Sequence, residues 1–444
     1  MLNRIFFETL CKQLRRASLH ASMPTAVLML VAPIWASSSP SVSEPPDCSP
    51  WVATWGTAMV EAGSANSPDL SQETLRMIVH TSVGGSQVRI WLSNRFSNVP
   101  LHIGAAHVAL SANGNPDLKV DVSAILTHTD QALTFDHMAS VTIAPGATIV
   151  SDAATFDIPA LSNLAITLYF PESTMGTTMH GGANQLSYAT AGNYLSAQTL
   201  PGKPWTRGSW YFLTGVDVNA PGNSTVVALG DSITDGNHST QNGNHRWPDY
   251  LAARLAADAA TRKARVLGVV NAGISGNRVL LDGDGPNALA RQTWDVLERS
   301  GVRYLILFHG INDIESYTRY RQPYGDLEKR LEAGLTQITT QAHQHGILVF
   351  GATQMTDCRD FKCTWPEGEV VRTALNQWIR NTDVFDGLID FDLATRDPEH
   401  PTQLLPLYNS GDFVHLNDIG YRAMADAIDL GLFTKKSSSA TSHR

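Results

Sequence analysis

The chain is poor in cysteine, poor in charge and without a long apolar run. Only four cysteines occur among 444 residues, at Cys11, Cys48, Cys358 and Cys363, too few for a disulfide-stapled scaffold. No second Cys/His pair accompanies Cys358 and Cys363, so no zinc site is expected. Charged residues make up 16%, and acids outnumber bases by 41 to 32, for a net charge of -9. That balance excludes the basic face that nucleic acid or an anionic membrane would require. The apolar stretch AVLMLVAPIW, Ala26 to Trp35, is too short to cross a bilayer, which takes ~20 residues. What remains is a soluble, mildly acidic globular protein with 43% hydrophobic residues, enough for ordinary cores, and a length that suggests two domains.

Lys12, Arg15 and Arg16 precede that apolar stretch and the small residues ASSS follow it. This is the layout of a secretory signal, expected over 1–36 with cleavage near Ala36; a single N-terminal membrane anchor is the alternative. The Ser/Pro/Glu-rich stretch 37–50 then reads as a flexible lead-in and 434–444 as a disordered tail. A secreted or periplasmic protein with no stable membrane insertion after cleavage follows from this. Cys11 would leave with the signal. Cys358 and Cys363, in CRDFKC, are expected to staple a loop, with Cys48 unpaired.

The periodicity changes once along the chain. From 51 to 218, short runs alternate: Leu75, Met77 and Val79 against Arg76 and His80; Val88, Ile90 and Leu92; Leu164, Ile166, Leu168 and Phe170. A period of two with glycine-rich punctuation predicts an antiparallel β-sandwich or jelly roll. Residues 219–224 read as a linker. From 225 to 433 apolar strands alternate with amphipathic helices, predicting a parallel sheet covered on both faces. Helices are expected over 246–260 (with Trp247 on its buried face), 287–300, 326–345, 369–381 and 417–430. Ligands of such sheets sit beyond the carboxyl ends of the strands.

Those ends carry Ser232 in GDSITDG, Gly276 in NAGISGNR, Asn312 in GIND, and Asp412 with His415 in GDFVHLND. A serine hydroxyl becomes a nucleophile when a base takes its proton, and His415 can do so if Asp412 holds its other ring nitrogen. The backbone amides of Ser232 and Gly276 and the Asn312 side chain can stabilise the oxyanion. Each motif alone reads equally as a turn or a helix cap. Their order at four strand ends favours acyl transfer.

The four blocks resemble the signature blocks of the SGNH, or GDSL-type, hydrolases from Thr225 to Phe433. The resemblance implies a three-layer flavodoxin-like domain and ester hydrolysis without a metal or other cofactor. TLRMIVHTSVGGSQVRIWLSN and IGAAHVAL resemble the β-rich N-terminal domain of a secreted two-domain subgroup. His309, just before GIND, departs from the apolar or acidic residue expected there; it is read either as a substrate contact or as a strand-end histidine bonded to backbone. Arg278 is expected to order the glycine loop or touch an acidic group of the substrate. Asp231 and Asp235 are expected to be scaffolding, and Trp294 and Trp365 core or pocket wall. Sequons occur at Asn223 and Asn237, and sugar on Asn237 would crowd the site.

The expected function is a secreted serine esterase acting on a small-molecule or polysaccharide ester, with short O-acyl groups, acetyl above all, favoured. A lipase, lysophospholipase or arylesterase is the alternative within the family. A phosphatase would need a metal-binding carboxylate pair or an aspartyl nucleophile, and a non-catalytic sugar-binding protein would be missing a signature residue.

Overall fold

A computed structural model describes residues 50–112, 123–319, 326–356 and 366–434. The expected signal and lead-in up to residue 49, all four cysteines, Trp365 and the tail from 435 lie outside the described residues. Among the described residues no helix is long and apolar enough to cross a membrane.

The strands from Trp51 to Asn219 pair only antiparallel. One sheet has five strands: Trp51–Gly56, Leu213–Asn219, Gly85–Ser93 and Ala154–Ile158 in order, with Thr148–Val150 also on Gly85–Ser93. A second has six, with Glu73–His80 and Asn163–Phe170 at its centre. Their register sets Ile166 opposite Met77 on one side and Val108 on the other. Leu75, Met77 and Val79 join Val88, Ile90 and Leu92 of the five-stranded sheet in one core, as a period of two requires.

The other face of Glu73–His80 departs from a simple alternation. Arg76 is fully buried there. Its guanidinium donates to the carbonyls of Ser123 at 2.9 Å, Leu195 at 3.2 Å and Ala197 at 2.9 Å. Its Nε donates to Thr167 Oγ1. Irregular segments cover this face, and an arginine's fan of donors satisfies several of their carbonyls at once.

Beyond Asn219 the chain forms a parallel sheet in the order Leu267–Gly273, Ser224–Gly230, Val302–Phe308, Leu348–Ala352 and Gly387–Ile389. Alternate strand residues feed opposite faces. Val226, Ala228 and Ile306 meet Trp247, Leu251 and Met424 on one side; Val227, Leu229 and Leu305 meet Leu331, Leu335 and Leu375 on the other. The result is three layers. The helix expected over 246–260 runs Trp247–Ala257 and stops where the Asp258 carboxylate accepts from Thr261 N at 2.6 Å, capping a second helix, Ala259–Ala264. The helix expected over 287–300 is shorter, Ala288–Gln292, and continues as a π turn through Leu297.

Residues from Trp51 onward cluster as one compact unit. The Leu267–Gly273 edge of the parallel sheet is covered by the β-region, which removes the hazard of an open strand there. Val269 N donates to Ser82 Oγ at 2.8 Å. Ala53 N donates to Ser300 O and Thr225 Oγ1, both at 3.1 Å. A Cβ on Gly268 would stand 2.2 Å from Ala53 O, so only glycine allows this approach.

A second joint is ionic. His180 Nε2 lies 2.9 Å from Asp235 Oδ1 and its Nδ1 2.8 Å from Ala58 O, all buried. Both partners only accept, so the ring carries both hydrogens. Burial and Arg246 push its pKa down, but Asp235 and the Ala58 carbonyl prevail and raise it above the ordinary 6.5. A buried pair of this kind loses several kcal/mol, ~3–5, when one partner is removed.

Two outcomes are expected. Gly268→Val forces the strands apart at a cost of about 1–3 kcal/mol of overpacking and so lowers Tm; an unchanged Tm would show that they do not meet there. His180→Gln lowers Tm most below about pH 6.5, because stability from a raised histidine pKa is complete below its unfolded value and lost as pH rises through the folded one. The gap in Tm between wild type and His180→Gln therefore narrows as pH rises, and a constant gap would contradict the imidazolium.

Candidate active site

The buried strand Ser224–Gly230 ends where a side chain cannot fit: a Cβ on Gly230 would meet Thr234 Oγ1 at 2.1 Å and Phe308 O at 2.7 Å. Asp231 then caps the turn Ser232–Asp235, accepting from Ile233 N at 3.1 Å, and Gly236 ends it at φ 89°. Ser232 is thereby held at the strand tip, 8% exposed.

His415 comes from a tight loop after the last strand. Asn409 Oδ1 accepts from Gly411 N and Phe413 N, at 2.8 and 3.0 Å. Gly411 has φ 118°. Asp412 Oδ1 accepts from the amides of Val414 and His415, at 3.0 and 2.8 Å. Its Oδ2 is 2.5 Å from His415 Nδ1, and His415 Nε2 is 2.9 Å from Ser232 Oγ. Burial pushes the Asp412 carboxyl up, but the bonds from His415 and Val414 outweigh it and hold it well below the usual carboxylate range. An ionised Asp412 only accepts, so Nδ1 carries the hydrogen and Nε2 is left free to take a proton.

Gly276, at φ 76°, and Asn312 line a cavity of about 320 Å³ with Ser232 and His415. The structure thus brings together all five residues singled out at the strand ends. Arg278 lines the same cavity while its guanidinium bonds the Asp282 carbonyl and Ser316 Oγ, which orders the glycine loop. Asn237 also faces the cavity.

His309 is different. It is fully buried and does not line the cavity; its Nε2 lies 3.1 Å from Asn277 Oδ1. Of the two readings offered by the sequence, substrate contact or strand-end histidine, the ring takes the strand-end place beneath the loop, with a side chain rather than backbone as its partner. Burial, then the charge of Arg291, holds its pKa well below the ordinary value, so it is neutral.

Asn277 is one of the residues that the sequence did not single out. It receives Arg291 Nε at 2.9 Å, donates to Pro286 O at 2.9 Å, and offers its carbonyl to Asn312 Nδ2 at 3.1 Å. Arg291, also buried, donates to Gly230 O at 2.9 Å and Ala272 O at 2.8 Å, and pairs with Asp295. One guanidinium therefore ties the ends of two strands to the loop that holds Asn312. Asp313 completes the brace by accepting from Val279 N and Leu280 N; burial pushes its carboxyl up to about 6 against those two bonds. Burial similarly pushes Asp231 up to about 7, opposed by the Ile233 amide. Asp231 caps and Asp235 holds His180 and Ser275, so both are scaffolding. Only the position of Asn277 inside NAGISGNR hinted at its part, and Arg291 had no local signal.

His238 was also missed. Its ring stacks on His415 with centroids 5.3 Å apart, and its Nε2 lies 3.4 Å from Asp412 Oδ2. Donor atoms of His238, Asp412 and His415 fall within 4.8 Å of one another, a grouping able to hold a metal ion. An ion there would draw on Asp412 and His415 atoms that already orient the imidazole.

The GDSL-like lipase/acylhydrolase family model matches residues 226–428. No curated protein matches the chain. Among solved structures, a GDSL-like lipase from Bacteroides thetaiotaomicron is 18% identical, covering 47% of this chain and 87% of that one, with a TM-score of 0.34. An acetyl xylan esterase is 22% identical, covering 46% and 96%, with a TM-score of 0.33. An aryl esterase of M. smegmatis is 16% identical, covering 46% and 95%, with a TM-score of 0.33. Residues 226–428 are a GDSL-like lipase/acylhydrolase domain, and the chain that carries it is a carboxylic ester hydrolase.

Proposed function

We propose that this hydrolase works through an acyl-enzyme on Ser232. The observation that carries the reading is the unbroken chain Asp412–His415–Ser232, at 2.5 and 2.9 Å. His415 Nε2 takes the Oγ proton as the oxygen attacks the ester carbonyl. The amides of Ser232 and Gly276 and the Asn312 side chain receive the oxyanion. Collapse breaks the bond to the alcohol, which leaves with the proton from His415. Water then enters, gives its proton to His415 and releases the acid, restoring Ser232. Asp412 stays ionised throughout.

The acyl group is short in this reading. The cavity is small, and Arg278, Glu315 and Ser316 make much of its wall polar. A long chain would need an apolar slot. Acetyl esters of a polyhydroxylated alcohol, on a small molecule or a polysaccharide, suit such a wall best. The basic and apolar N-terminal pattern is read as an export signal, which would set the reaction in a secreted or periplasmic location.

A fluorophosphonate probe should label the wild type once and leave Ser232→Ala unlabelled; equal labelling of both would sink the proposal. On p-nitrophenyl acetate, Ser232→Ala and His415→Ala are expected to lose roughly 10⁶-fold in kcat and Asp412→Ala about 10⁴-fold. Asn312→Ala should cost about 10²–10³-fold with little change in KM. Near-normal kcat in Asp412→Ala would mean that another group orients His415.

A further inference from the structure

Beside the active-site cavity lies a second one, of about 430 Å³, built by both regions of the chain. Glu61, Asn66, Met179 and Ser209 come to it from the β-region, and Ser275 and Asp284 from the catalytic domain. Ser275 and Asp284 line both cavities, so the two meet across them. Resting on the ester-hydrolase reading above, we propose that the second cavity is a subsite for the alcohol side of the ester, and that it takes a neutral sugar chain whose O-acyl group is cleaved at Ser232.

The lining chemistry supports that ligand. The carboxylates of Glu61 and Asp284 and the amide of Asn66 have no hydrogen-bond or ion-pair partner among the described residues, beyond the Asn66 backbone. Carboxylate and amide oxygens are the acceptors that vicinal hydroxyls need. Among the described residues no lysine or arginine lines this cavity. The charge of Asp235 is matched by the His180 imidazolium, so Glu61 and Asp284 leave the cavity negative. A uronate chain or an anionic phospholipid headgroup would be repelled, whereas a neutral polyol loses nothing. Val60, Met179 and Ile274 add a modest apolar strip, suited to the C–H face of a sugar ring and too little for an acyl tail.

The walls are held in place. The His180–Asp235 pair, with Ser275 Oγ donating to Asp235 at 2.9 Å, joins the two regions at the cavity floor. Gly285, at φ 103°, lets its loop close on Val60, where a Cβ would stand 2.7 Å from the valine methyl. The Asn66 carbonyl is fixed by Tyr211 Oη at 3.2 Å. The subsite thus gives the β-region a part in the reaction.

The test is a kinetic series on wild type, Glu61→Trp, Asn66→Trp and the double Glu61→Ala/Asn66→Ala variant. Substrates are p-nitrophenyl acetate, an acetylated methyl xyloside, acetylated xylotetraose and an acetylated oligogalacturonate. Wild type should gain roughly tenfold or more in kcat/KM from the single sugar to the tetrasaccharide, chiefly through KM, and should not show this gain with the uronate chain. Each variant should lose most of the gain while keeping p-nitrophenyl acetate hydrolysis within about twofold, which also reports intact folding. A wild type without chain-length gain, a gain that survives every variant, or an equal gain on the uronate chain would overturn the subsite and leave the esterase standing. Wild type inactive even on p-nitrophenyl acetate would overturn both.

Discussion

The bond between Asp412 and His415 is the contact on which the rest of the site depends. It fixes the hydrogen on Nδ1 and leaves Nε2 bare, 2.9 Å from Ser232 Oγ. Two further amides on Asp412 keep its charge in place. A serine flanked by acids is otherwise a weak nucleophile, because neither Asp231 nor Asp235 faces its hydroxyl as a base: one caps the turn and the other is held by His180 and Ser275. In the proposed mechanism the base comes from a loop 183 residues away in sequence.

That arrangement requires strand tips that do not drift. Arg291 supplies the fixed point, donating to the Gly230 and Ala272 carbonyls near the ends of two strands and to Asn277. Asn277 passes the constraint to Asn312. Buried polar groups are costly unless satisfied and rigid when they are. This network is nearly complete; among the described residues His309 Nδ1, Asp231 Oδ2 and Asp295 Oδ1 have no hydrogen-bond partner. Neutral forms of His309 and Asp231 fit their burial, and the directions of their pKa shifts agree.

The order of elements and the strand-tip residues were legible in the sequence because they are local: an apolar strand, then a short polar signature. The alternation of Leu75, Met77 and Val79 likewise marked the core face correctly. Arg76 was not legible as a buried residue, since the carbonyls that satisfy it lie far along the chain. His180, Asn277 and Arg291 were missed for the same reason: each acts through partners that only the fold supplies. His309 stayed open between two readings in the sequence because a histidine at a strand end looks alike whether it faces the cavity or lies beneath the loop.

The central claim is a covalent one, that the acyl group passes through Ser232. Peptide mapping after quenching the enzyme with p-nitrophenyl trimethylacetate, a hindered ester that slows deacylation, tests it most directly. The account predicts a burst of nitrophenolate and one trimethylacetyl group on the peptide containing Ser232. An acyl group on any other residue, or the same burst from Ser232→Ala, would contradict it.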